Sequence, residues 1–285
     1  MSGVAENTPK LRFPDFTGIQ SADAIREHLF EDIFVFSSGK NIKQGEASPE
    51  YEIPCVRYGE LYHLYDEVIR EIVNRTDLPR NELSFSVGDE ILLPSAGEDP
   101  MDIGAASALT LPNVAIGRTI NVLRPKDPEQ IDQVFAAYYI NAVLRLRIST
   151  LARGSSISNV YNSDLKTLRL RAPSITEQQK IAAFLGAVDA KIGLLTRKKA
   201  LLEDYKKGCM QQLFTQKLRF KDDQGNDFPD WEETKLRQLA ERVTEKNTSV
   251  AVTDVLTNSA VQGIISQGDY FDHDVANAEN LDRYT

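Results

Sequence analysis

Residues 174–214 read SITEQQKIAAFLGAVDAKIGLLTRKKALLEDYKKGCMQQLF, and this stretch decides the architecture. Pro173 closes the segment before it. Ser174 with Glu177, or Thr176 with Gln179, then offers a capping box, in which a hydroxyl and an acidic or amide side chain meet the free N–H groups of a first helical turn. Leu185, Ile192 and Leu213 fall on one heptad position and Val188, Leu195, Leu202 and Cys209 on the other, with Lys199 and Lys206 interrupting the first series. This four-three spacing fits a coiled-coil seam better than a plain amphipathic face. It predicts a helix from about Glu177 to Phe214, roughly 57 Å long at 1.5 Å per residue. A rod of that length projects beyond an ordinary domain as a spacer; a long core helix in a bundle is the competing reading.

Upstream, 1–173 reads as mixed α and β. Glu52–Arg57, Leu83–Val87, Glu90–Leu93 and Val114–Leu123 are short apolar runs bounded by Gly, Pro, Asn or Asp, the pattern of strands. Phe135–Ile148 has helical spacing instead. The expected class is therefore α+β, a strand-rich domain followed by a long helix. The 285 residues allow one large domain or two ordinary ones. No apolar run nears the roughly 20 residues that cross a bilayer, and the N-terminus lacks the basic and apolar regions of a secretory signal. A cytoplasmic chain is expected, with Cys55 and Cys209 as buried, reduced thiols.

The net charge of −9 argues against a simple DNA-coating protein, since phosphate binding rests on Lys and Arg. The charge is uneven, however. Residues 139–173 carry Arg145, Arg147, Arg153, Lys166, Arg169 and Arg171 against the single acidic residue Asp164, while 1–138 and 217–285 are acidic. This local bias permits nucleic-acid contact without demanding it.

Lys10-Leu-Arg-Phe-Pro-Asp-Phe16 is echoed by Lys217-Leu-Arg-Phe220 and Phe228-Pro-Asp-Trp231, just past the predicted helix. Repetition on either side of a whole domain-plus-helix unit marks a duplication. A second copy is thus expected to begin at about 217, and to be cut short by Thr285. With this echo go Leu83–Ala96 (LSFSVGDEILLPSA) followed by Ile103-Gly104, and the ordered run Gly154-Ser-Ser-Ile-Ser-Asn-Val-Tyr161, Leu165, Ala172-Pro173, Glu177-Gln178, Ile181-Ala182, Leu185, Asp189 and Ile192. In this order the chain resembles the specificity subunits of type I DNA restriction-modification systems. The resemblance implies a target-recognition domain at 1–173, a spacer helix at 174–216 and the start of a second recognition domain at 217–285. It implies a non-catalytic reader of a split site on double-stranded DNA, assembling with a methyltransferase subunit and a restriction/translocase subunit. The competing function is a coiled-coil interaction fragment that never touches DNA and interferes with the intact complex.

The sequence has no phosphate loop, dinucleotide turn or zinc helix, and His28, His63 and His273 are widely scattered. No catalytic residue, metal or cofactor is assigned. Base reading needs paired donors carried into a groove on loops or strands. The candidates are Lys40, Asn41 and Lys43 in the polar loop SSGKNIKQG, Arg57 and Tyr58 at a strand end, and Arg153, Ser155, Ser156 and Asn159 in a small-residue loop beside the basic segment. A solvated turn explains the first group as well, and a surface salt bridge from Arg57 to Glu60 or Asp66 competes with DNA contact. Leu185, Val188, Ile192, Leu195, Leu202 and Leu213 form the helix seam, through which a homodimer is expected.

Overall fold

The computed structural model describes residues 11–16, 25–154, 156–247, 249 and 252–271. The chain divides into two units, Met1–Tyr205 and Lys206–Thr285. The first unit contains strands β1 (Arg26–Leu29), β2 (Phe34–Ser38), β3 (Ile53–Val56), β4 (Val68–Ile69), β5 (Arg75–Thr76), β6 (Glu90–Pro94), β7 (Ala96–Gly97), β8 (Ser107–Leu109), β9 (Ala115–Ile116), β10 (Ile120–Pro125), β11 (Ser158–Asn159) and β12 (Arg169–Ala172). Its helices are α1 (Phe30–Ile33), α2 (Glu60–His63), α3 (Pro100–Ile103), α4 (Gln133–Tyr139), α5 (Arg145–Leu151), α6 (Asn162–Leu165) and α7 (Ile175–Phe214), the last passing into the second unit.

A five-stranded sheet, ordered β2-β10-β6-β8-β4, forms the centre; only its β4–β8 edge is parallel. Strand β6 is buried along its whole length, which is why Glu90–Leu93 reads as a continuous apolar run rather than an alternating one. Ile91 and Leu93 face a core that includes Phe30, Phe34, Phe135, Ile140 and Ile148, whereas Leu92 faces Val56, Leu61, Ile69 and Ile116. Side chains at consecutive positions point to opposite faces, so one strand holds both layers together. Each such large apolar side chain contributes about 1.5–3 kcal/mol when buried. A smaller sheet, β5-β3-β9, packs beside this second layer.

Three sequence expectations are modified. Val114–Leu123 is two strands, β9 and β10, broken at Gly117-Arg118-Thr119 where Thr119 takes φ 67°. Leu83–Val87 forms only an isolated bridge, Phe85 to Ala115. The buried Glu90 carboxylate accepts the amides of Val87, Gly88 and Asp89 at 2.7, 3.0 and 3.2 Å and curls the chain there into a turn. The helix expected over Phe135–Ile148 is α4 and α5 joined by a π-turn, Ile140–Leu144. Its Asn141 side chain donates to Ala106 O at 2.7 Å and accepts from Ala106 N at 2.8 Å, binding the turn to the backbone beside β8.

Helix α7 closely matches its expected span. Its start is fastened by Gln178, fully buried, whose Oε1 accepts Asp132 N at 3.0 Å and whose Nε2 donates to Gln130 O and Pro173 O, both at 2.9 Å. Glu177 turns to another partner than its own helix end. Arg12 donates to both its oxygens at 2.7 and 2.5 Å. Lys180 pairs with Asp15 and lies over the Phe13 and Phe16 rings, and Phe13 meets Phe184 edge-on. The Leu11–Phe16 motif is therefore a clasp on the base of the helix. One turn further, Asp189 accepts from Tyr138 Oη and the Gly186 carbonyl accepts from Arg70 at 3.3 Å. Leu185 is half-buried, while Val188, Ile192, Leu195 and Leu202 are 41–56% exposed.

In the second unit, Arg219 bonds Asp230 at 2.8 Å and the Phe228 and Pro229 carbonyls at 2.7 and 2.5 Å. The echo of the clasp is thus folded on itself. A short helix α8 (Leu236–Leu239), a hairpin of β13 (Leu256–Ser259) and β14 (Gly263–Ser266), and α9 (Gln267–Phe271) follow. Leu213 and Cys209 are half-buried there, so the expectation of two buried thiols holds fully for Cys55 alone. No helix of the described residues is long and apolar enough to cross a membrane.

Candidate nucleic-acid interface

Three segments far apart in sequence are laced together on the β3 side of the first unit. Gly39 lies so close to the 116–118 turn that a Cβ there would stand 2.0 Å from Gly117 O. Only glycine permits that approach. Lys40 N donates to Ile116 O at 2.9 Å, Arg118 N to Asn41 O at 2.8 Å, and Gly117 N to Val56 O at 2.8 Å. Asn41 and Ile42 adopt φ of 48° and 54°, and this left-handed pair swings the loop so that Ile42 is buried while Lys43 stays exposed. Asn41 Nδ2 is spent on Glu82 O at 2.8 Å.

The result is a cleft of about 520 Å³ whose lining includes Lys43, Gln44, Arg57, Tyr58, His63 and Arg118. At its wall Glu60, 5% exposed, accepts Arg57 N at 3.1 Å, Arg57 Nε at 2.7 Å and Asn74 Nδ2 at 2.9 Å. The ion pair weighed for Arg57 from the sequence therefore exists, and it is with Glu60. Neither Nη of Arg57 meets an acceptor among the described residues, nor does the Arg118 guanidinium. Below the cleft, burial pushes the Cys55 thiol up to about 12, with the Glu60 carboxylate adding to the effect, so it stays protonated. Carboxylates of its own and of the β1–α1 segment answer the basic stretch. Arg153 pairs with Asp164 at 2.8 Å, Lys166 with Glu31 at 3.5 Å, and Arg169 and Arg171 with Glu27 at 3.1 and 3.7 Å.

Of the residues singled out from sequence, Lys43, Arg57 and Tyr58 meet in the cleft, and Lys40 and Asn41 belong to the loop that forms its edge. Arg153 and Asn159 form a separate bridge beside β7 and β11, with Ser156 exposed nearby; Ser155 lies outside the described residues. Sequence reasoning missed Gln44, His63 and Arg118. The break Gly117-Arg118-Thr119 in an apolar run was the signal for the last.

Residues 30–204 match the family described as "Type I restriction modification DNA specificity domain". The chain belongs to this specificity-domain family. It is 29% identical over 135 residues to a putative type I restriction enzyme MjaX specificity subunit of Methanocaldococcus jannaschii, covering 47% of this chain and 30% of that protein. It is also 29% identical over 121 residues to the type I restriction enzyme MjaVIII specificity subunit of the same organism, covering 40% and 28%. The match thus spans under a third of either relative. The crystal structure of a type I restriction-modification system S subunit from M. genitalium superposes with a TM-score of 0.51 over 70% of this chain and 48% of that one, at 21% identity, and shares the fold. The matched region contains the whole cleft and the first three-quarters of α7.

Proposed function

We propose that this chain is the DNA-reading part of a type I restriction-modification complex and that the cleft at Arg57 is where it meets its target. The observation that carries the reading is the cleft itself: a guanidinium held by a buried carboxylate, flanked by Lys43 and Arg118 and by polar and aromatic side chains. Flexible cations at the rim suit phosphates, which position a protein on the duplex, and fixed paired donors suit base edges, which specify sequence. In this reading 1–173 is the recognition domain, 174–216 the spacer helix and 217–285 the start of a second recognition domain. The chain does no chemistry; a methyltransferase subunit and a restriction/translocase subunit supply it in the cytoplasm. The exposed seam of α7 is the surface for those partners, and for a second copy of this chain.

The test is binding of the full chain, alone and with the methyltransferase subunit, to randomised double-stranded DNA over a salt series. A selected sequence, with log affinity falling by about 0.9 per phosphate contact per unit of log salt, is expected. No binding to any duplex with the methyltransferase present would leave the interaction-only reading instead.

A further inference from the structure

Glu60 presents a puzzle that the DNA-reading assignment does not by itself explain. If Arg57 served only to attract phosphate, a carboxylate beside it would be counterproductive, because it cancels one of the cleft's three cations, Lys43, Arg57 and Arg118. Burying a carboxylate is also costly unless hydrogen bonds compensate it. Here three donors compensate it, and two of them come from Arg57 itself. The pair is local, three residues apart across the turn that leads into α2, and the Arg57 side chain is 23% exposed against 6% for Glu60. Glu60 holds the Nε of the guanidinium. The end bearing the two Nη groups is left with no acceptor among the described residues, on a wall of the cleft.

A guanidinium held in this way gives up charge and gains direction. Arg is already planar, and fixing its rotamer beforehand removes the ordering cost of binding, so the geometry of two parallel N–H groups can discriminate. In the major groove, the base edge that accepts such a fork is the O6/N7 pair of guanine. Lys43 and Arg118 supply the phosphate attraction from exposed positions on the loop and the turn.

We propose that Glu60 is a positioning residue for sequence reading, presetting Arg57 as a bidentate fork for a guanine O6/N7 edge. The inference rests on the DNA-reading function proposed above.

The test uses the full chain with the methyltransferase subunit and a selected duplex, with randomised duplex as the non-specific reference. Arg57→Lys keeps the charge and loses the fork; Glu60→Gln keeps the shape and loses the charge and one of the two oxygens that accept from Arg57. Both are expected to lower discrimination at one guanine, read within each variant as the ratio of selected- to randomised-duplex affinity, by about 10- to 100-fold. Replacing that guanine by 7-deazaguanine, which lacks N7, should weaken binding by the parent and not by Arg57→Lys. A salt slope lowered by about one in Arg57→Ala, with sequence preference intact in Arg57→Lys and Glu60→Gln, makes Arg57 a phosphate contact and overturns the inference while the DNA-reading function stands. A parent chain with no sequence preference overturns both. If thermal melting shows Glu60→Gln to be unfolded, Arg57→Lys and the 7-deazaguanine duplex decide alone.

Discussion

At the scale of single residues, what matters is which cations are already spent. Arg153, one of the candidates for DNA contact in the sequence, gives one Nη to the nearly buried Asp164, whereas the Arg118 guanidinium has no acceptor among the described residues and its backbone N–H is engaged by Asn41. Arg118→Ala is therefore expected to weaken DNA binding across all sequences and to lower the salt slope by about one. Fluorescence anisotropy against salt reads this directly, and a slope equal to the parent's would place Arg118 outside the interface. Cys55 provides a pH prediction. Burial raises its folded-state pKa from 9.0 to about 12, so above pH 9 the unfolded chain loses a proton that the folded chain keeps. Its contribution is fully present below pH 9 and is lost as pH rises from there towards 12. Iodoacetamide at pH 8 should label half-buried Cys209 and leave Cys55 untouched until denaturant is added; rapid native labelling of Cys55 would contradict its burial.

At the scale of elements, helix α7 has an anchored base and an open seam. Gln178 answers three backbone groups from buried space, Asp132 N, Gln130 O and Pro173 O. Gln178→Ala leaves them without a partner, at about 1–3 kcal/mol for a group that stays unsatisfied. A fall in urea midpoint with unchanged slope is the expected result, and a midpoint within error of the parent would show that the helix base is held by the Arg12 clasp alone. Further along, Val188, Ile192, Leu195 and Leu202 repeat at heptad spacing and remain exposed. We expect the chain to self-associate through them weakly, since Lys199 interrupts the stripe, and Leu195→Lys to abolish the association. Light scattering up to tens of micromolar checks this; a strict monomer, indistinguishable from the variant even with methyltransferase added, would remove the seam from any homodimer.

For the whole molecule, charge is distributed so that attraction to DNA is local. The net charge is −9, and the cations of the basic segment are largely answered by Glu27, Glu31 and Asp164. Non-specific phosphate binding draws on unpaired cations, and in the cleft these are Lys43 and Arg118. Heparin is thus expected to compete poorly against a selected duplex. Displacement by heparin at concentrations that also strip a randomised duplex would show that a diffuse basic surface, not the cleft, holds the DNA.

Some of this was legible in the chain because local physics decides it. The heptad pattern specified α7 to within a few residues, since a helix satisfies its own backbone and its period shows in any window. The apolar run Glu90–Leu93 specified a strand, which the fold buries on both faces. Lys43, Arg57 and Tyr58 were recognisable as donors on a loop and a strand end. That they share a cleft with Arg118 was not, because Arg118 lies within the most acidic part of the sequence, and its place depends on Gly39 letting two turns touch. In the same way, the basic segment permitted nucleic-acid contact, and four of its cations also meet carboxylates in the fold. Its partners, Glu27 and Glu31, come from the other end of the domain through the β1–β12 pairing and the α1 turn that follows it. The sequence by itself determined the elements and their residue types, because propensity and periodicity act over a few residues. Tertiary structure alone decided which charges remain available to a ligand, because that depends on contacts between segments far apart in the chain.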